Sequence, residues 1–458
     1  HRDLLERSRS LVSKLGSPLA ALRRAARTRA SADVMAASAL PDTGTRMFVR
    51  VPQLDTPDFC GDYRTIQARV VYAGTHAIIL EDVQAPLAGL MDAEYRGVGD
   101  EFDRTTYGVI AANFGDPMAM DQTLGGPGRV TMVFSPAVND MGPTGFVVSC
   151  DFYPAAAAAS SNQREMFYAV VPTSSATGYQ NFTKDLWRHI IRSTIAHETK
   201  HIASMAEHLA RQAPRLEESW LEEGTAMHAM ELWARTVTTI KWKAASGYNS
   251  ALYCDVRPDW PSCNGQPYTM FDHFAYLHDF LTPSERHTPL GSTDPFDASF
   301  YGSVWWLVRC SVDQYAADEG AFLRALTQEP SLTGVANLSA RTGRPWGDLV
   351  RDWSLATLTS YLAPTLAPHD ARLTTPSWNL RDVLEGMAKD FPSDFGSKLS
   401  WHGQYCTTPP TVIQAMPPGG VSFYYLDTCD GWKNFFRFQS DAGGSPSSAL
   451  SIGLIRIQ

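Results

Sequence analysis

The chain lacks several features that would commit it to a class. No apolar run reaches the ~18 residues that a membrane-crossing helix needs, so no span is expected. No Cys-x-x-Cys occurs, which argues against a structural zinc knuckle. Internal repeats are absent. The loop-like stretch 116–128 lacks the regularly spaced carboxylates of a calcium loop. Positive charge is in deficit: 39 Lys and Arg against 48 Asp and Glu give a net of −9, which disfavours a nucleic-acid partner. The first residue is His1 rather than Met, so a natural start, and any signal peptide with it, is expected upstream.

What charge there is falls unevenly. Residues 1–30 carry eight Lys or Arg against Asp3 and Glu6, a net of +6 that leaves −15 for the remainder. Arg23, Arg24, Arg27 and Arg29, set among Ala and Leu, read as a basic amphipathic helix packed on the acidic body of its own chain. Seven cysteines suit an exported protein. Cys254 with Cys263 and Cys406 with Cys429 each bracket a short loop or strand, Cys60–Cys150 is a third pairing, and Cys310 is expected to be a buried thiol.

Hydrophobic periodicity divides the chain into four parts, with a mixed α+β fold as the outcome. Residues 1–45 read as the basic helix and a small-residue linker. Residues 46–182 are strand-rich, with strands expected at 47–51, 65–72, 76–80, 130–134, 146–148 and 167–171 and a helix near 92–108. Residues 183–395 read as a helical domain closed by a Pro-punctuated connection over 363–395. Residues 396–458 return to short alternating strands around Pro-Pro and Gly-Gly turns, a small C-terminal β domain.

The helical part holds the most specific motif. Residues 197–201 read His-Glu-Thr-Lys-His. Four residues are about 400° of helix, so His197 and His201 sit one turn apart on nearly one face and can share an ion, with Glu198 rotated about 100° beside it. Trp187, Ile191, Ile195, Ile202, Met205 and Leu209 form a buried stripe at helical spacing, and Glu198 falls in register with it. An acid on an apolar face costs stability unless it serves a purpose. Lys200 points away from His197 and Glu198 and is expected to be solvated.

A second helix is expected from Ser219-Trp220-Leu221-Glu222-Glu223-Gly224, where Ser219 and Glu222 fit a capping box. That box would occupy Glu222 and leave Glu223, on the inward stripe with Trp220, Met227 and Met230, as the third ligand; Glu222 is the alternative. The longer pattern HExxHxxGxxH is not met, because Ser204 and Glu207 stand at its Gly and His positions. Glu207 and His208 are therefore expected to be surface or core residues.

HETKH followed by WLEEG resembles the gluzincins, zinc peptidases whose third ligand is a Glu on a following helix. Further strings narrow the resemblance to the hyicolysin-like bacterial neutral metalloproteases: Phe134 to Asn139, Ser161-Asn162, Tyr301-Gly302 ahead of Trp305-Trp306, Leu332 to Asn337 and Arg351-Asp352-Trp353. Together they span roughly residues 45–390. The resemblance implies a thermolysin-like helical domain and a secreted zinc metallo-endopeptidase acting on protein or peptide substrates. His197, His201 and Glu223 would hold Zn2+, and Glu198 would be the general base. It also implies Tyr301 as donor to the tetrahedral oxyanion, against the alternative that Tyr301 simply packs at a helix start. Two departures stand out. Met227 occupies the position where thermolysin-like enzymes carry an Asp that orients a ligand His, leaving Glu231 and Asp272 as candidates for that role. The aminopeptidase motif Gly-Ala-Met-Glu-Asn has as its nearest string only Gly89-Leu90-Met91-Asp92. That weakens the aminopeptidase alternative; the third option is a peptidase-fold binding protein without catalysis.

Overall fold

Alternating segments at its open edge and continuous apolar runs in its middle build a six-stranded sheet in the computed structural model. The structure describes residues 2–16, 41–173, 182–256, 270–292, 297–362, 371–396, 398–404, 416–426 and 450–455, with a few single positions besides. The strands are β1 (Arg46–Pro52), β2 (Tyr63–Ala73), β3 (Ala77–Asp82), β4 (Val130–Phe134), β5 (Gly145–Phe146) and β6 (Met166–Ala169). Their order is β1-β2-β3-β4-β6-β5. The β1-β2-β3 meander is antiparallel, β3-β4-β6 run parallel, and β5 returns antiparallel along β6. β3, β4 and β6 are buried along their whole length, as parallel strands covered on both faces must be. The mixed α+β expectation is met.

The chain forms two compact units. The first comprises His1–Thr239, Cys254–Thr269 and Asp318–Arg341, and it contains the sheet. Its long helix Lys184–Ala210, here the histidine helix, starts at Thr183, whose hydroxyl accepts from Leu186 N at 3.2 Å. Trp187 Nε1 donates to Val170 O at 2.9 Å, which fastens this helix to the end of β6. The segment Phe134 to Asn139 is explained by its contacts: Ser135 Oγ donates to Asp82 at 2.6 Å, and Asn139 exchanges two hydrogen bonds with the backbone of Val171. Cys60 and Cys150 form the disulfide that the sequence offered as a third pairing. Cys254 is disulfide-bonded, while Cys263, Cys406 and Cys429 lie outside the described residues. The N-terminal helix Arg2–Leu15 buries Leu4, Leu5, Ser8 and Val12 against this unit; Arg23 to Arg29 lie outside the described residues.

The second unit comprises Ile240–Tyr253, Met270–Ala317 and Thr342–Gln458. Helices Met270–Leu281 and Ala298–Tyr315 cross so closely at Gly302 that a Cβ there would stand 2.1 Å from the Tyr276 carbonyl carbon. Trp305, Trp306, Trp353, Trp378 and Cys310 are buried in this unit. Buried Asp313 accepts from Arg309, Trp242 Nε1 and Ser377. The connection expected over 363–395 contains a helix, Leu380–Asp390, whose Leu380, Val383, Leu384 and Met387 recur at helical spacing and are buried. Asn379 caps it, accepting from Asp382 N at 3.1 Å. In the C-terminal part, the described residues contain two three-residue strands, His402–Gln404 and Tyr424–Leu426, paired in parallel. No helix among the described residues is long and apolar enough to cross a membrane.

Gly302→Ala is expected to destabilise the protein by about 2 kcal/mol or more, because backbone rather than a mobile side chain receives the added methyl. Gly97→Ala, where a Cβ meets nothing within 4 Å in a helix, should instead stabilise by about 0.5–1 kcal/mol. Equilibrium denaturation of both variants checks the pair.

Candidate metal centre

The histidine helix runs unbroken through the HETKH segment and is buried from Ser193 to Leu209 on every side, not only along the expected stripe. The second helix, Ser219–Thr238, packs along it and is called here the glutamate helix. Its start is held by the preceding loop. Glu217 accepts from Gly334 N at 2.6 Å and from Asn337 Nδ2 at 2.7 Å, and Glu218 accepts from Trp220 Nε1 at 2.9 Å. Gly334 has φ +56, and a Cβ there would meet the Glu218 carboxylate, so glycine suits the position on both counts. Through these contacts the Leu332 to Asn337 segment anchors the entry to the glutamate helix.

His197, His201 and Glu223 offer one ligand atom each within 4.8 Å of one another. His197 Nε2 stands 3.1 Å from Glu223 Oε2, and His201 Nε2 stands 3.8 Å from the same oxygen. Ligands at ~2.0–2.2 Å from a tetrahedral ion stand roughly 3.3–3.6 Å apart, so the spacing fits a single divalent metal. The donor set fits as well. Burial is the leading influence on His197 and takes it below the ordinary imidazole value, so the ring is neutral near pH 7, the form that ligates. Two imidazoles and a carboxylate converging out of water would be costly to leave without a cation.

Glu198 is buried one residue along from His197. Edge strand β5 passes beside it: a Cβ at Gly145 would lie 3.1 Å from Glu198 Cγ, 3.3 Å from its Oε1 and 2.8 Å from Thr194 Cγ2. A glycine in a two-residue strand gives little signal in a sequence, and its importance here is visible only through this close approach.

Two expectations are corrected. Ser219 and Glu222 do not form a capping box. The N-cap is Glu218, with no side-chain cap bond, and Ser219 is already helical. Ser219 N–H donates instead to Glu6 Oε1 of the N-terminal helix at 3.3 Å. Lys200 is not solvated. Its ammonium is buried 2.7 Å from Glu222 Oε2. Glu222 Oε1 lies 2.8 Å from His201 Nδ1, and Ser204 Oγ donates to Oε2 at 2.8 Å. Burial alone would push the Glu222 carboxyl up, yet Lys200 and His201 together outweigh it and hold the group at about 2. Burial pulls Lys200 down, and Glu222 opposes that shift. The carboxylate that meets His201 Nδ1 is Glu222, a residue the sequence offered only as an alternative ligand. Glu231 lies 3.5 Å from Arg235 on the same helix.

Glu207 and His208 are core residues, in keeping with the failed longer motif. Glu207 accepts from Asp116 N and Gln328 Nε2, both at 2.9 Å, and His208 Nδ1 lies 2.8 Å from Ser204 O. Tyr301 is in the second unit, in the first turn of Ala298–Tyr315, half-buried with its ring centroid 5.1 Å from Phe300 and 6.4 Å from Tyr276.

Comparison with known proteins adds one partial similarity, to a metalloprotease. It covers 141 residues at 26% identity, 30% of this chain and 30% of the relative. That relative is the neutral metalloprotease ShpI of Staphylococcus hyicus, of whose length the similarity spans less than a third. No protein-family model matches the chain.

Burial raises the Glu217 carboxyl to about 7. A carboxyl held above its unfolded value binds protons on folding, so its contribution is fully present below about pH 4.5 and is lost as pH rises through about 7. Glu217→Gln should flatten the fall in unfolding free energy between pH 5 and 7.5, as measured by urea titration at a series of pH values. An unchanged slope would assign that pH dependence to other groups.

Proposed function

We propose that this protein is a secreted zinc metallo-endopeptidase with a thermolysin-like helical domain. The observation that carries the reading is the buried cluster of His197, His201 and Glu223 with Glu198 on the same helix. The partial similarity to a neutral metalloprotease supports the same class. The Cys60–Cys150 disulfide supports an oxidising destination outside the cytoplasm.

His197, His201 and Glu223 would hold the ion. Zinc, when bound by three protein ligands, supplies a Lewis acid and brings the pKa of a fourth-site water to ~7. Everything else falls to the side chains. Glu198 takes a proton from the attacking water as its oxygen bonds to the scissile carbonyl carbon. It then delivers that proton to the amine nitrogen as the C–N bond breaks. Tyr301 is assigned as hydrogen-bond donor to the oxyanion of the tetrahedral intermediate.

Incubation of zinc-loaded protein with a denatured protein, with and without a chelator, should give internal fragments by mass spectrometry that the chelator abolishes. Ladders from the N-terminus would select an aminopeptidase, and no cleavage would leave a binding protein. Glu198→Gln should lower kcat by about 10²–10⁴-fold with one zinc still bound; full activity would remove Glu198 from the mechanism. Glu223→Ala should lose zinc, and tight retention would move the third ligand elsewhere. Tyr301→Phe should lower kcat about 10²–10³-fold with KM nearly unchanged, whereas unchanged kinetics would leave Tyr301 a packing residue.

A further inference from the structure

We propose that Glu222, fixed by Lys200 and Ser204, is the residue that positions His201 as a metal ligand. This rests on the zinc reading of the same site and deepens it.

Glu222 precedes the ligand Glu223 on the glutamate helix but faces a different partner. Its Oε1 meets His201 Nδ1 at 2.8 Å. With Oε2 taken by the donors Lys200 and Ser204, Oε1 is the acceptor left to face His201 Nδ1–H, and Nε2 stands 3.8 Å from Glu223 Oε2. The other oxygen, Oε2, receives Ser204 Oγ at 2.8 Å and Lys200 Nζ at 2.7 Å. Lys200 Nζ also donates to the Glu222 backbone carbonyl at 3.2 Å. Both carboxylate oxygens are engaged on the Nδ1 side of His201, while Glu223 is the carboxylate grouped with His197 and His201. Lys200 and Ser204 lie one turn apart on the histidine helix and flank His201, so the helix that supplies the imidazole also supplies the two donors that hold its orienting carboxylate. A partner of this kind fixes the ring's tautomer and rotation and raises its basicity as a ligand.

The competing account is that Lys200–Glu222 is only a buried ion pair locking two helices. Paired replacement separates the two. Lys200→Met with Glu222→Leu exchanges the ion pair for apolar groups of similar size, which is frequently neutral for folding, whereas either single change strands a buried charge or donor. In the full-length double variant, which leaves His201 Nδ1 and Ser204 Oγ without this acceptor, we expect a folded protein of lower thermal stability with zinc Kd raised about 10–100-fold, measured by competition with a chromophoric chelator at a temperature where both proteins are folded. Nitrogen-15 spectra of the metal-free protein should show His201 protonated at Nδ1 in wild type and a mixture of tautomers in the double variant. Lys200→Met with Glu222→Gln, which restores an acceptor opposite Nδ1, should recover the wild-type tautomer and most of the affinity. Tight zinc binding by wild type and both double variants alike, with an unchanged tautomer, would overturn the positioning role and leave the zinc reading standing. Absence of zinc binding by wild type would overturn both.

Discussion

Two helices meet through opposite charges removed from water, and the placement of the candidate ligands depends on that meeting. Lys200 on the histidine helix and Glu222 on the glutamate helix are both buried, 2.7 Å apart. Separated, either charge would be costly in such an interior; together they admit one sliding register between the helices. In that register Glu223, the next residue, falls beside His197 and His201. The backing comes from elements that have no direct part in chemistry. The Trp187 bond to Val170 ties the histidine helix to the sheet, and the Gly334–Asn337 segment grips Glu217 ahead of the glutamate helix.

Local patterns made much of this legible. The strands from β1 to β6 fall within a few residues of the apolar segments that mark them, and the His-x-x-x-His spacing with its apolar stripe identifies the helix that carries two of three candidate ligands. Glu223 followed from its place on the inward stripe, though the capping box invoked to spare it does not exist. What stayed hidden were long-range pairings. Lys200 reads as a surface residue because its counter-charge lies on another helix, the residue whose carbonyl it also reaches being 22 positions away. The donor and acceptor that complete the start of the glutamate helix are 213 residues apart, beyond the reach of any capping rule. The helix at Leu380–Asp390 was readable from its spacing, but the prolines around it drew attention to turns instead.

The sheet contributes proximity. β5 is an edge strand of two residues, and glycine at 145 lets its backbone come within ordinary contact of Glu198. A larger residue would displace the acid or open the strand from β6. Where the histidine helix and this strand touch, the helix supplies side chains and the strand supplies bare backbone.

The N-terminal helix carries an implication for the order of assembly. Glu6 closes the first turn of the glutamate helix and Arg9 donates to Leu216 O at 3.1 Å. A segment made early relative to its partner thus completes a structure that cannot exist until roughly two hundred further residues have left the ribosome. Closing so long a loop is slow. Docking of the N-terminal helix on the glutamate helix therefore comes after the much shorter reach from Lys200 to Glu222, 22 positions, has closed. A chain stalled before this docking would leave Ser219 N–H and Leu216 O without the partners that the N-terminal helix brings.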